Sequence, residues 1–328
     1  MSSSLLTSSI DLLETGPEAA AAGPARWLAE HRDEIRARVA EHGAVRVRGL
    51  GLTDRAAAGA AIRAVLGEPM TEREGFAPRE SYGQGIYSSS EWPPDQPMCM
   101  HNELSYAVEF PGLMAFACLT APTDGGVTAL ADTRAVLADL PAQLVARFET
   151  TGWKLTRGYN PLVGVDWKKA FGTGDTDAVE RYCEQHAILA TWDIYGGLNT
   201  SQRRAAVVHH PVTGDRCWFN QIAFLNEWTM APEVREFLIA EFGPEGLPFN
   251  TFYGDGEPLD RETVDLINEV YEKHTLREPW QTGDLMVVDN IRMAHSREPY
   301  RGDRDIAVGL GAPTTLADCR PTVPPAAA

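Results

Sequence analysis

Between residues 25 and 43, ARWLAEHRDEIRARVAEHG places its apolar side chains at Trp27, Leu28, Ile35 and Val39 and stops at Gly43. That spacing predicts one amphipathic helix with a glycine terminator. AVRVRGL then alternates like a half-buried strand. TDRAAAGAAIRAVLG opens on Thr53, a capping residue type, and predicts a second helix. The Gly/Pro/Ser-rich stretch 68–97 reads as a loop that walls a pocket. LMAFACLT and VTALAD look like buried strands, and residues 132–149 look helical. AAVVHHP, RCWFNQI, DLMVVDN and DIAVGLG are short strand patterns bounded by Gly, Pro or Asn, with helical patterns at 232–242 and 260–273 between them. This order predicts a mainly β fold with inserted helices, an antiparallel barrel or double-sheet jelly roll. A doubly wound sheet would need regular strand–helix alternation and usually a Gly-rich phosphate turn, and neither is present. With no internal repeat or composition shift, a single domain is expected over 26–316. Residues 1–25, rich in Ser, Ala and Gly, are expected to be loosely ordered, and 317–328 to form a frayed tail.

Composition narrows the function. A chain of 328 residues with 44% hydrophobic and 23% charged residues can bury a sizeable core. Net charge is −17, which argues against a nucleic-acid partner and only weakly favours a cationic substrate. The five cysteines (99, 118, 183, 217, 319) have neither metal-knuckle nor redox spacing, so reduced thiols and a cytoplasmic location are expected. The first residues carry no Lys or Arg and no long apolar run, so a secretory signal is not expected. No apolar stretch is long enough to predict a membrane span. Nothing in the pattern sets an oligomeric state.

One short segment, MCMHNELSY, carries candidate chemistry in His101 and Glu103. With 8 His and 46 acidic residues, chance alone supplies about one His-x-acid pair, and the chain has two, so context decides. His31/Asp33 falls in a predicted helix, where residues two apart point to different sides, and reads as a solvated face. His101/Glu103 precedes strand-like sequence, where residues two apart share a side and can meet one metal. A third ligand is offered by His295, expected at the end of the strongly apolar DLMVVDN strand, where a barrel mouth would be. Two His and one carboxylate leave open positions on an iron, as in non-haem oxygenases, and also suit zinc. His209 and His210, before a Pro-x-x-Gly turn, read as structural; His42, His186 and His274 read as helix-end or polar-face residues. Arg304 lies nine residues past His295 at the start of the next strand pattern and can pair bidentately with an acidic cosubstrate. Arg297 and Arg301 are rivals for that role, and Thr128 in DGGVTALAD can add a hydroxyl.

The ordered set HNELSY, GGVTALADTR, HPVTGDRCWFNQ, YGDG, WQTGDLMVVDN and HSREPYRGDR resembles the Fe(II)/2-oxoglutarate-dependent dioxygenases of the taurine dioxygenase (TauD/TfdA) superfamily, nearest the clavaminate-synthase/SyrP-like branch. The resemblance runs from about residue 40 to 312. It implies a double-stranded β-helix core, with His101, Glu103 and His295 as iron ligands. It implies Arg304 on the distal carboxylate of 2-oxoglutarate with Thr128 assisting, and Asp289 and Asn290 as supports behind the ligands. Asn220 and Gln221 match a segment close to the family's pocket. The departures are Val127 and Ala129 around the threonine, and Ser90-Glu91-Trp92-Pro93 before the HNE motif. A carboxylate at 103 points to hydroxylation, or another oxidative outcome such as desaturation, over halogenation. The implied cofactors are Fe(II), 2-oxoglutarate and dioxygen. The implied substrate is an amino acid, free or tethered to a peptidyl carrier protein, in natural-product biosynthesis. Arg79, Tyr82, Gln84 and Glu91 are expected to help wall its pocket, alongside Asn220 and Gln221. The alternatives are a zinc-dependent hydrolase using the same His/Glu/His site and a non-catalytic jelly-roll binding protein.

Overall fold

The apolar run LMAFACLT shows no alternation because both faces of its strand are covered. In the computed structural model, which describes residues 9–159, 164–243 and 246–328, it lies in the Glu109–Thr120 strand of a seven-stranded sheet. The strands run in the order Asp11–Glu14, Ala44–Arg48, Leu285–Asp289, Glu109–Thr120, Asp305–Thr315, Ile86–Ser88, Ser81–Gly83. Every neighbouring pair is antiparallel except the first. Ala115, Ala117 and Leu119 join Val47, Leu285 and Val287 against the helical side chains Leu28, Ile35, Val39, Ile62 and Val65. The alternate residues Met114, Phe116 and Cys118 face the other way, with Val288, Ile306 and Val308. They meet Met98, Met100, Ala129 and Met293 of a four-stranded sheet ordered Thr275–Leu276, Thr128–Asp132, Met293–Arg297, Met98–His101. Period-two geometry thus sends alternate residues to two different cores.

A third sheet, Leu189–Trp192, Leu198–Arg204, Trp153–Gly158 and Phe249–Tyr253, and two two-stranded ribbons make the architecture mostly sheet with several helices. The glycines of DIAVGLG are needed for packing. A Cβ on Gly309 would lie 2.2 Å from Ile62 Cγ2, so a side chain there would displace the Arg55–Leu66 helix.

Several expectations change. The first predicted helix is two, Pro24–Glu30 and Arg32–His42, broken at His31. His31 is not a solvated-face residue: its ring stacks on Trp27 at 3.9 Å and its Nδ1 lies 2.8 Å from the Trp27 carbonyl oxygen. The helix expected over 132–149 splits into Thr133–Asp139 and Ala142–Thr151. Pro141 lacks a backbone donor and forces Leu140 into an extended conformation (ψ 145°). The 68–97 stretch is not all loop, for it holds the Ser81–Gly83 and Ile86–Ser88 strands.

The ends are also better held than composition suggests. Residues 1–8 of the expected loose segment lie outside the described residues. Asp11–Glu14 pairs in parallel with Ala44–Arg48, Ala326–Ala327 pairs with the Leu198–Arg204 strand, and Cys319 and Val323 are buried. Four- and two-residue strands leave little periodic signal, and their partners are distant in sequence.

The Arg55–Leu66 helix is capped by Asp54, whose side chain accepts from the Ala57 N–H at 2.8 Å, and not by Thr53. Asp54→Ala is therefore expected to lower stability by about 1 kcal/mol, with Thr53→Ala near zero, as read from chemical-denaturation midpoints.

Candidate metal centre and its cavity

The four-stranded sheet carries both histidines. His101 ends the Met98–His101 strand and stands directly opposite His295, which sits within the Met293–Arg297 strand. His295 is thus on a strand of its own, reached by a turn, and not at the end of DLMVVDN. Glu103 is not on a strand either: it lies in the turn after His101. Its position is set from across the sheet by Asn290. The Asn290 side chain accepts from the Glu103 N–H at 2.7 Å and donates to the Glu103 carbonyl at 2.9 Å. Asn102 donates to the Asn290 carbonyl at 2.6 Å, closing the clamp. Leu104 takes a left-handed φ of 53°, a conformation that costs a leucine roughly 1–3 kcal/mol and persists because this clamp holds it. Asp289 supports the turn that carries Asn290: its carboxylate accepts from the N–H groups of Ile291 and Arg292 and pairs with His210 Nε2 at 2.8 Å. The structural expectation for His210 holds. His42 ends a helix, and His186 and His274 each cap one.

His101, Glu103 and His295 are all buried and offer ligand atoms within 4.8 Å of one another. Glu103 Oε2 lies 3.8 Å from His101 Nε2 and 3.6 Å from His295 Nε2. His101 Nδ1 is 2.8 Å from the Cys99 carbonyl, which makes Nδ1 the donor and leaves the Nε2 lone pair facing the carboxylate. Aromatic rings fix both imidazoles: His101 stacks on Phe224 at 4.6 Å, and His295 packs against Phe116 at 5.5 Å. Burial and then His295, against the pull of Glu103, lower the His101 imidazole to about 3, so the ring is neutral and able to ligate. Burial alone would raise the Glu103 carboxyl, but Arg79 and the two histidines hold it well below the usual carboxylate range.

Arg79, expected in the substrate wall, lines the space beside the triad and also donates to Glu103 Oε1 at 2.9 Å. The other oxygen, Oε2, is buried and accepts no hydrogen bond from the described residues. An ionised, buried oxygen without a donor is costly, and a cation between it and two neutral imidazoles satisfies it. The triad therefore fits a divalent transition metal.

The cavity beside the histidines runs between the two sheets, past Met114, Phe116, Ile306 and Val308, to Thr128 and Arg304. Arg304 donates to the Gly126 carbonyl (3.0 Å), the Thr128 hydroxyl (3.2 Å) and the Ser89 hydroxyl (3.4 Å). Gly126 permits this approach: a Cβ there would lie 2.9 Å from Tyr300 Cβ and 3.2 Å from Arg304 Cδ. Trp280 Nε1 also donates to Thr128 Oγ1, at 3.2 Å. Burial, then Arg297, lower the Arg304 guanidinium to about 10, so it is still a cation at neutral pH. The rivals are committed elsewhere. Arg297 donates to the Trp92, Pro93 and Gln96 carbonyls, and Arg301 is exposed on the Tyr300–Arg301 strand.

A second space adjoins the triad and shares Arg79 and His101 with the first; Glu72, Phe76, Glu103, Tyr106, Gln221 and Phe224 also line it. Gln221 is in place there and donates to the Asn102 carbonyl at 2.9 Å. Asn220 is not: its amide holds the Ala206 carbonyl and the Ile222 N–H behind the wall. Tyr82 is turned away under Arg55, and Gln84 is exposed in a hairpin turn, so neither reaches the site. The Gly/Pro/Ser-rich composition that read as a pocket-walling loop here belongs to an edge hairpin of the large sheet. Glu91 lines an adjoining cavity with Phe76 and Trp92. Residue patterns did not single out Phe116, Phe224, Trp280 or Ser89. Of these, Phe116 was within reach, because it shares strand parity with Met114 and Cys118.

The comparisons with known proteins agree with this arrangement. A family model described as "Taurine catabolism dioxygenase TauD, TfdA family" matches residues 11–310. The chain is 33% identical over 278 residues to the dapdiamide synthesis protein DdaC of Enterobacter agglomerans, covering 85% of this chain and 84% of that one. It is 26% identical over 247 residues to a clavaminate synthase-like protein of Arabidopsis thaliana, covering 72% and 71%. Among solved structures, a taurine dioxygenase from Burkholderia xenovorans shares the fold with a TM-score of 0.55 at 18% identity, covering 98% of this chain and 92% of that one.

Proposed function

The chain belongs to the TauD/TfdA family of dioxygenases, and on that premise we propose that it hydroxylates an unactivated C–H bond of an amino acid or carrier-tethered aminoacyl group in natural-product biosynthesis. As a member of that family it is an Fe(II)/2-oxoglutarate-dependent dioxygenase and uses iron, 2-oxoglutarate and dioxygen; a hydrolytic zinc site and a non-catalytic binding role fall away. A small-molecule substrate is consistent with the family. No helix among the described residues is long and apolar enough to cross a membrane. We read the seven- and four-stranded sheets, which face each other across the cavity, as the two sheets of a double-stranded β-helix.

The observation that carries the assignment is one cavity with His101 and His295 of the triad at one end and, at the other, an Arg304 guanidinium that has no ion-paired carboxylate among the described residues. His101, His295 and Glu103 Oε2 would hold the iron. Bound with 2-oxoglutarate and dioxygen, the metal supplies the oxidising chemistry, in which 2-oxoglutarate becomes succinate and carbon dioxide. Arg304 and the Thr128 hydroxyl orient the distal carboxylate, while Met114, Phe116, Ile306 and Val308 keep water from the chain between. Arg79 fixes Oε1, so that Oε2 alone turns toward the histidines. Amino-acid modification is supported by the likeness to a dapdiamide synthesis protein.

The test is anaerobic addition of Fe(II) and 2-oxoglutarate, followed by a search for a weak visible absorption band and, in air, for succinate release stimulated by amino acids. Absence of the band with tight zinc binding in its place would overturn the assignment. Arg79→Ala is expected to weaken Fe(II) binding about 10- to 100-fold through loss of the Glu103 support, as read by competition with a chelating indicator.

A further inference from the structure

Arg157, Arg204 and Arg297 are buried without a carboxylate ion pair among the described residues. Such a cation is stable only if its donors are used. Arg204 is so held, by the carbonyls of Tyr106, Ala187, Arg203 and His186. Arg297 is held by three carbonyls as well. Among the described residues Arg157 makes only two such bonds, to Glu74 at 2.6 Å and Gly75 at 3.0 Å, though a guanidinium has five N–H groups. The nearby Glu74 carboxylate is engaged by the Tyr182 hydroxyl at 2.9 Å. Arg157 also lines a cavity, with Phe76, Glu91, Trp92, Tyr159 and Phe249. That cavity shares Phe76 and Ala77 with the space beside His101 and Glu103. The guanidinium carbon is 5.6 Å from the Tyr106 ring centroid and 6.0 Å from that of Phe76, and both rings wall the triad's space.

We propose that this adjoining cavity seats the substrate's head group and that Arg157 recognises a free carboxylate there. The substrate is then a free amino acid and not a carrier-bound thioester. A carboxylate matches the planar donors of a guanidinium, whereas a thioester brings no charge and leaves the arginine unpaired. Glu91, which has no cationic partner among the described residues, faces the same cavity and suits the ammonium group. The aromatic walls take the apolar remainder and direct it toward the triad. This inference rests on the oxygenase assignment above.

Calorimetry with the twenty proteinogenic L-amino acids, on the metal-free protein and on protein loaded with Fe(II) and 2-oxoglutarate under argon, tests it. The best binder is then compared with its own amide and its N-acetylcysteamine thioester. The free acid is expected to bind about 10- to 100-fold more tightly than either, the loss of one charge-assisted pair. Arg157→Gln should bind the acid as weakly as the amide, Arg157→Lys should restore part of the difference, and the apparent constant for 2-oxoglutarate should not move. The acid–amide comparison on the unaltered protein stands even if Arg157→Gln does not fold. Equal binding of acid and amide, preference for the thioester, retained discrimination in a folded Arg157→Gln, or no binding by any free amino acid would each overturn the proposal. A missing Fe(II)–2-oxoglutarate band would instead strike the oxygenase assignment, while the comparison on metal-free protein still decides the carboxylate.

Discussion

His295→Ala is expected to leave a folded protein with no measurable 2-oxoglutarate turnover. Loss of a group that merely supports a metal ligand costs roughly 10- to 100-fold, and loss of one of three ligands should exceed that. The fold should survive because the imidazole contributes little to it: its Nδ1 has no hydrogen-bond partner among the described residues, its ring packs against Phe116 and His101, and its one polar contact is Nε2 with Glu103 Oε2, 3.6 Å away. The cavity left behind costs about 1–3 kcal/mol, within the range of ordinary destabilising mutations. His101→Ala should abolish turnover too, with a further stability loss of about 1 kcal/mol, because its Nδ1 bond to Cys99 goes with it. Thermal melts followed by circular dichroism, Fe(II) titration and succinate release separate the two effects. Full activity in either variant would remove that histidine from the ligand set.

Arg304→Ala is expected to raise the apparent Michaelis constant for 2-oxoglutarate well over tenfold. Hydrogen bonds to charged groups are worth about 1.5–3 kcal/mol, and each 1.4 kcal/mol is a factor of ten. Arg304→Lys should recover only part, since an ammonium does not reproduce the fork that meets the Gly126 carbonyl and the Thr128 hydroxyl. Arg301→Ala, at an exposed position, should leave the constant where it is. Arg297→Ala should disturb the 92–96 loop that it ties down. A normal constant in Arg304→Ala would transfer the role to one of these two.

The mainly β pattern, the buried strands and the histidine and carboxylate candidates were legible in the residues because strand parity and metal chemistry are local properties. LMAFACLT announced a strand covered on both faces, and the ordered motifs located His101, His295, Thr128 and Arg304, which the structure brings to one cavity, and Glu103, which it brings to the two histidines. Contacts between residues far apart in sequence were not legible. Glu103 reaches the histidines from a turn, held by an asparagine 187 residues away, where strand geometry had been expected to suffice. Arg79 belongs to Glu103, and Tyr82 and Gln84 point away from the pocket, because the short hairpin that carries them joins the edge of the large sheet. Sequence alone therefore determined the donor types and most of the strands. Only the tertiary structure decided which arginine faces the cavity, which is spent on backbone carbonyls and which carboxylate oxygen is left bare. Those outcomes depend on the pairing of distant strands, and no local spacing encodes it.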